Sequence, residues 1–172
     1  SFCHPHPPLV PLTSYLDLYS DIEIDDSFCG SWSSNPKTLP FALQQIENKN
    51  THINEAEIKR IKRAFYALCT HIDHQLRLVL GTLREEGLLE DAILLFTSDH
   101  GDMLGNHGLW AKRLFYEGSA NVPMILVGGR NKRVEHHSVD HRLVGWRDIM
   151  PTLLDLAEID IPKTVEGLSM VD

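Results

Sequence analysis

Ala92-Ile93-Leu94-Leu95-Phe96-Thr97 runs directly into Ser98-Asp99-His100-Gly101-Asp102-Met103-Leu104-Gly105-Asn106-His107-Gly108-Leu109-Trp110-Ala111-Lys112. The first six residues are apolar without alternation, as a strand buried on both faces requires. The polar, glycine-rich stretch that follows marks the point where the chain leaves a sheet and turns. In parallel α/β sheets, ligands collect at the carboxyl ends of the strands. Asp99 and His100 stand at such an end, where a carboxylate and an imidazole can reach one divalent cation. The plainer alternative is that Asp99 caps a turn and His100 packs. Lys112 follows within a dozen residues, between Trp110 and Phe115. An ammonium repels a cation unless an anion sits between them and is clamped from both sides. Taken alone, Lys112 is equally readable as a solvated surface residue.

Outward from this stretch, Val122-Pro123-Met124-Ile125-Leu126-Val127 is a second apolar run, closed by Gly128-Gly129. Upstream, Asn54 with Glu57 has the spacing of a capping box. Ile58, Ile61, Phe65, Leu68, Ile72, Leu76, Val79 and Leu83 then recur in steps of three and four, which predicts a long amphipathic helix ending near Gly87. Its default role is to cover one face of a sheet. A further helix is predicted from Arg147 to Ala157. Together these elements predict an α/β fold, a sheet sandwiched by helices.

Residues 1–50 read differently. Pro5, Pro7, Pro8, Pro11, Pro36 and Pro40 remove backbone donors and block long helices, so irregular structure is expected, with one short helix near Ser14 to Tyr19. A linker is the bland alternative. Within it, His4-Pro5-His6-Pro7-Pro8 sets two imidazoles on a stiff backbone, suited to donating to an anion or protonating a leaving oxygen. Coincidence is the competing account, because ten histidines are spread over the chain. His136, His137 and His141 are assigned to the surface.

The 172 residues suit one domain with a real core. Apolar residues at 42% and charged residues at 23% argue against disorder. A net charge of −8 is the wrong sign for gripping phosphate backbones, so nucleic acid is not expected as a partner. No apolar run approaches the roughly 18 residues of a membrane span, so no membrane partner is expected either. Cys3, Cys29 and Cys69 cannot all pair within one chain, which leaves the redox compartment undecided. The start has no initiator methionine, as a processed end or a cut within something larger would give. Oligomeric state and localisation are not assigned.

The stretch from Thr97 to Lys112 resembles the second signature block of the calcium-dependent, formylglycine-type sulfatases of the alkaline phosphatase superfamily. Phe115-Tyr116-Glu117-Gly118-Ser119-Ala120-Asn121-Val122-Pro123-Met124 is similar to that family's F/Y-E-G-S/A-x-x-V-P run. Arg147-Asp148-Ile149-Met150-Pro151-Thr152-Leu153-Leu154-Asp155-Leu156-Ala157 is similar to its D-x-x-P-T-L-L-D-L-A helix. Ser1-Phe2-Cys3-His4-Pro5-His6-Pro7-Pro8 resembles its S-F-x-x-P-H-x-P segment, and Tyr15 to Tyr19 the Y-x-x-L-Y that trails it. The opening also resembles that of choline sulfatases.

The resemblance implies the later portion of an alkaline-phosphatase-like sulfatase catalytic domain, running through residues 1–172. It implies Asp99 and His100 as calcium ligands, and Lys112 and His6 as catalytic residues facing the sulfate. His4 and His107 would have supporting, substrate-side roles. The reaction implied is calcium-assisted cleavage of a small-molecule sulfate ester to an alcohol and sulfate. The family's nucleophile is a formylglycine made within a C/S-x-P-x-R motif. Cys3-His4-Pro5-His6-Pro7 imitates the first three positions but carries Pro7 where arginine is required, so the formylglycine is expected upstream of these residues and the isolated chain is expected to be inactive. A phosphodiesterase or phosphonate hydrolase of the same superfamily is the alternative within the fold. A non-catalytic relative whose Asp-His pair binds an ion or a partner is the alternative outside it.

Overall fold

The computed structural model describes residues 1–33, 43–44 and 53–171. Pro36, Pro40 and the rest of the stretch expected to be irregular up to Asn50, apart from residues 43–44, lie outside the described residues. The contacts gather into two compact units, Ser1–Val79 with His100–Asn121, and Leu80–Asp99 with Val122–Asp172. The long helix runs through the boundary between them.

In the first unit, α1 (Thr13–Leu16) continues into a 3-10 turn over Asp17–Tyr19, close to the short helix expected there. The helix α2 (Glu55–Glu85) begins as its sequence dictates: Glu57 N donates to Asn54 Oδ1 at 3.0 Å and Asn54 N to Glu57 Oε2 at 2.9 Å. Its core face buries Ala67 and Leu68 together with Lys62. Lys62 as a residue is only 6% exposed, a position tolerable because its ammonium donates to Asp25 O at 2.8 Å. Arg63 donates from Nε to Tyr19 O at 3.0 Å and from a terminal nitrogen to Ile22 O at 3.2 Å. The described part of the proline-rich segment is therefore docked on α2 and is not a linker.

The loop His100–Asn121 completes this unit. Asp102 Oδ1 accepts from Leu104 N at 2.9 Å and Ala111 N at 3.1 Å, while Met103 N bonds Ala111 O at 3.0 Å. Met103 and Leu109 fill the interior beneath. Gly105 has φ 85°, and a Cβ there would stand 2.8 Å from Ser27 Oγ, so glycine is required at this turn. A 3-10 turn over Asn106–Gly108 and the short helix α3 (Glu117–Ala120) follow.

In the second unit, α2 ends on Gly87 (φ 70°), with Leu88 N reaching back to Leu83 O at 2.8 Å. Strands β1 (Leu94–Thr97) and β2 (Met124–Val127) form where both apolar runs lie. They pair antiparallel, with Leu94 opposite Val127 and Thr97 opposite Met124. Phe96, Ile125 and Val127 are exposed, which corrects the expectation of burial on both faces: a two-stranded pair shields one face only. A 3-10 turn over Trp146–Asp148 leads into α4 (Ile149–Leu156), where Pro151 is accommodated in the first turn. The segment 167–171 lies along α4, with Leu168 N on Asp148 Oδ1 at 3.0 Å and Met170 N on Thr152 Oγ1 at 2.9 Å. His136, His137 and His141 are exposed, as expected. Among the described residues, no helix is long and apolar enough to cross a membrane.

Candidate functional site

The proline-rich segment turns tightly at its start, with His6 N donating to Cys3 O at 3.1 Å. This turn presents His6 to the far loop, where Lys112 Nζ lies 2.8 Å from His6 Nε2, across 106 positions of sequence. An ammonium can only donate, so Nε2 must be the acceptor. His6 Nδ1 then carries the ring proton, and it donates to Pro7 O at 2.8 Å. In the neutral imidazole these two bonds select the tautomer protonated on Nδ1.

His100 completes the cluster. Its ring stands edge-on to that of His6, with centroids 6.2 Å apart at 64°. Its Nδ1 donates to Gly101 O at 2.8 Å, a carbonyl that can only accept. Gly101 is in turn pinned by its N–H to Ser119 O at 2.8 Å, and a Cβ at Gly101 would collide with Gly118 O. Glycine here lets the loop close beneath His100. Asp99 follows the end of β1 and is solvent-exposed.

The other two sequence-assigned histidines go elsewhere. His4, two residues before His6, has its ring 6.3 Å from that of His71 on α2. His107 sits at φ 59° and accepts from Gly30 N at 3.1 Å through Nδ1, which leaves its ring proton on Nε2. Phe28, Trp32 and Tyr116 pack around it with centroid separations of 5.2, 4.7 and 5.3 Å. The structure thus brings His6, His100 and Lys112 together and places His4 and His107 against other neighbours.

Asp102 had no assigned role in the sequence. Its carboxylate organises the loop that carries Lys112, and the signal was available, since Asp commonly accepts from the N–H two residues on. The contacts of Tyr15 were not legible. Its ring stacks on His71 at 4.8 Å and 23°, and its hydroxyl meets His74 Nδ1 at 3.2 Å.

An ammonium beside two imidazoles is a site for an anion: the positive charge attracts it and the ring nitrogens can take or pass a proton. For a divalent cation, the chain has a carboxylate at Asp99 and an imidazole at the neighbouring His100, a donor pair of suitable chemistry. Among the described residues, no three His, Cys, Asp or Glu side chains gather as a metal site. Six to eight oxygens around calcium would need donors beyond this pair. A formylglycine does not fit here, because no Cys or Ser of these residues stands in a C/S-x-P-x-R motif.

The chain is 42% identical over 173 residues to an arylsulfatase of Clostridium perfringens, covering 100% of this chain and 36% of the relative. It is 34% identical over 177 residues to a choline-sulfatase of Rhizobium meliloti, covering 99% of this chain and 34% of that one. The chain thus spans about a third of the length of these curated relatives. Among solved structures, a phosphonate monoester hydrolase of Agrobacterium radiobacter superposes with a TM-score of 0.87 at 22% identity, over 99% of this chain and 36% of that one. At that identity the likeness concerns the fold, which is that of the alkaline-phosphatase-like sulfatase catalytic domain. The family model "Sulfatase" matches residues 1–159, and the chain belongs to the sulfatase family.

Proposed function

We propose that this chain carries the anion-binding side of a sulfuric ester hydrolase, with Lys112 and His6 on the sulfuryl group and Asp99 and His100 as calcium ligands. The observation that carries the reading is the 2.8 Å contact between Lys112 Nζ and His6 Nε2. Calcium, when bound, would add positive charge against the sulfuryl oxygens.

The chain's own residues would act as follows. Lys112 has three ammonium protons, and one is used on His6, so the others are available to oxygens of the ester. A leaving alkoxide needs a proton, and Lys112, whose remaining protons face the ester oxygens, would deliver one directly while His6 Nε2 holds the ammonium in place. The alcohol would then leave, and solvent would return a proton to Lys112. His4 would support this turn from behind, and His107 would offer its Nε2 proton at the edge of the substrate. The nucleophile would be a formylglycine outside these 172 residues.

The net charge favours sulfate over phosphate. A sulfate monoester carries a single negative charge, against about two on a phosphate monoester. One ammonium beside a neutral imidazole matches the smaller charge. The test compares turnover of an aryl sulfate, an aryl phosphate and an aryl phosphonate by the full-length protein. Sulfate should be preferred, and Lys112→Ala should lower kcat/KM about a hundred- to a thousandfold. A preference for phosphate or phosphonate would overturn the assignment of the ester. Unchanged sulfate turnover in Lys112→Ala would overturn the assignment of the site.

A further inference from the structure

His6 occupies a segment that cannot fix itself. Pro5, Pro7, Pro8 and Pro11 have no backbone N–H, and the main-chain bonds that hold the described residues around His6 are short turns, His6 N to Cys3 O and Val10 N to Pro8 O. The segment's geometry must therefore be set by side chains on either side of the histidine. Both flanks arrive at one residue. Before it, His4 has its ring 6.3 Å from His71, tilted by 41°. After it, Tyr15 on α1 stacks on the same imidazole at 4.8 Å and 23°. The Tyr15 hydroxyl meets His74 Nδ1 at 3.2 Å, and His74 lies one turn on from His71 along α2. Four residues further, Tyr19 repeats the pattern: its hydroxyl is 2.6 Å from Thr70 Oγ1, and its carbonyl accepts from Arg63 Nε at 3.0 Å. The Y-x-x-L-Y stretch is thus a docking element, its two tyrosines one helical turn apart on a face of α2.

We propose that Tyr15 and His71 are positioning residues for His6: the ring stack on α2, with His4 beside the same imidazole, seats the proline-rich segment so that His6 Nε2 faces Lys112. The consequence for turnover rests on the reading of His6 and Lys112 as sulfate ligands; the positioning itself does not. Misplacement of a reacting group by an ångström is enough to lower rate steeply while leaving the ground-state affinity of the substrate little changed.

The test uses the full-length protein labelled with 15N-histidine. In the unaltered protein, the two ring nitrogens of His6 should read as a single neutral tautomer with the proton on Nδ1. Tyr15→Leu removes the stack and the hydroxyl, and should average the two His6 nitrogens. It should also lower kcat for an aryl sulfate about tenfold with KM changed by less than about twofold. Tyr15→Phe keeps the ring and should restore most of both readouts. His71→Ala leaves α2 a good helix former and gives the same reading should Tyr15→Leu fail to fold. A His6 signature unchanged in folded Tyr15→Leu or His71→Ala overturns the proposal. An unaltered protein that hydrolyses no sulfate ester overturns the functional reading instead, and the imidazole signature still decides the positioning.

Discussion

Two irregular segments lie along helices in this protein, and they are tied down by opposite chemistry. The proline-rich segment offers carbonyls to α2, whose cations donate to them: Lys62 to Asp25 O, and Arg63 to Tyr19 O and Ile22 O. The segment 167–171 offers N–H groups to α4, whose oxygens accept them: Asp148 from Leu168, and Thr152 from Met170. The difference lies with the partners: α2 presents Lys62 and Arg63, which can only donate, whereas α4 and the turn before it present the Thr152 hydroxyl and the Asp148 carboxylate, which accept. The carbonyl-held segment is also the one that carries His6.

The contrast breaks most severely at Gly167. A Cβ there would collide with Arg147 O, and backbone cannot yield as a flexible side chain can. Gly167→Ala should cost about 3 kcal/mol of stability, measured by denaturant unfolding, and should release Leu168 and Met170 amides to exchange. On the other segment, Lys62→Met keeps the aliphatic packing but leaves Asp25 O without its donor. A loss of about 1–2 kcal/mol is expected, with amide exchange rising in residues 19–26 and not in 167–171.

Acid sharpens the comparison. Hydrogen bonds from Leu168 N and Gly145 N hold the Asp148 carboxyl below its ordinary value of 3.8, and the Arg133 guanidinium does the same for Asp155. In each case the unfolded state takes up its proton first as pH falls. The stability these groups contribute is present above about pH 3.8 and is lost as pH drops through the lower folded values. The bonds from Lys62 and Arg63 that hold the proline-rich segment end on backbone carbonyls and involve no carboxylate. Hydrogen exchange at pH 6 and pH 3 should therefore show 167–171 loosening in acid before residues 19–25. Asp148→Asn, which loses about 1 kcal/mol at neutral pH, should remove most of that difference.

The smallest effect is expected at a charge pair that joins the proline-rich segment to α2 through a carboxylate. Asp26 meets Lys59 at 2.7 Å, but the acid is 74% exposed. Its carboxyl is held below the ordinary value by the hydrogen bond from Lys59, yet water screens the pair. Asp26→Asn should leave the unfolding midpoint unchanged within error at neutral pH.

Much of the local structure was legible because its causes lie within a few residues. Asn54 and Glu57 cap one another across three positions, and Gly87 supplies the left-handed residue that ends the same helix. The runs at 92–97 and 122–127 became strands, and the motif beginning at Thr97 pointed to His100 and Lys112. Three features were not legible. The direction of strand pairing depends on the path between β1 and β2. The exposure of Phe96 depends on what else pairs with the sheet. The parting of His4 from His6 depends on α2, whose His71 meets one of them while Lys112 meets the other.

The sequence by itself determined which groups this protein has to work with: prolines that withdraw donors, glycines that admit left-handed turns, and an acid, imidazoles and a lysine in a sulfatase pattern. Only the tertiary structure decided that His6 and Lys112 share a hydrogen bond across 106 positions. Capping, turning and periodicity are settled by neighbours along the chain. A bond between distant side chains is settled by the packing of every element that holds them, here a loop clamped by Asp102 and a segment docked on α2.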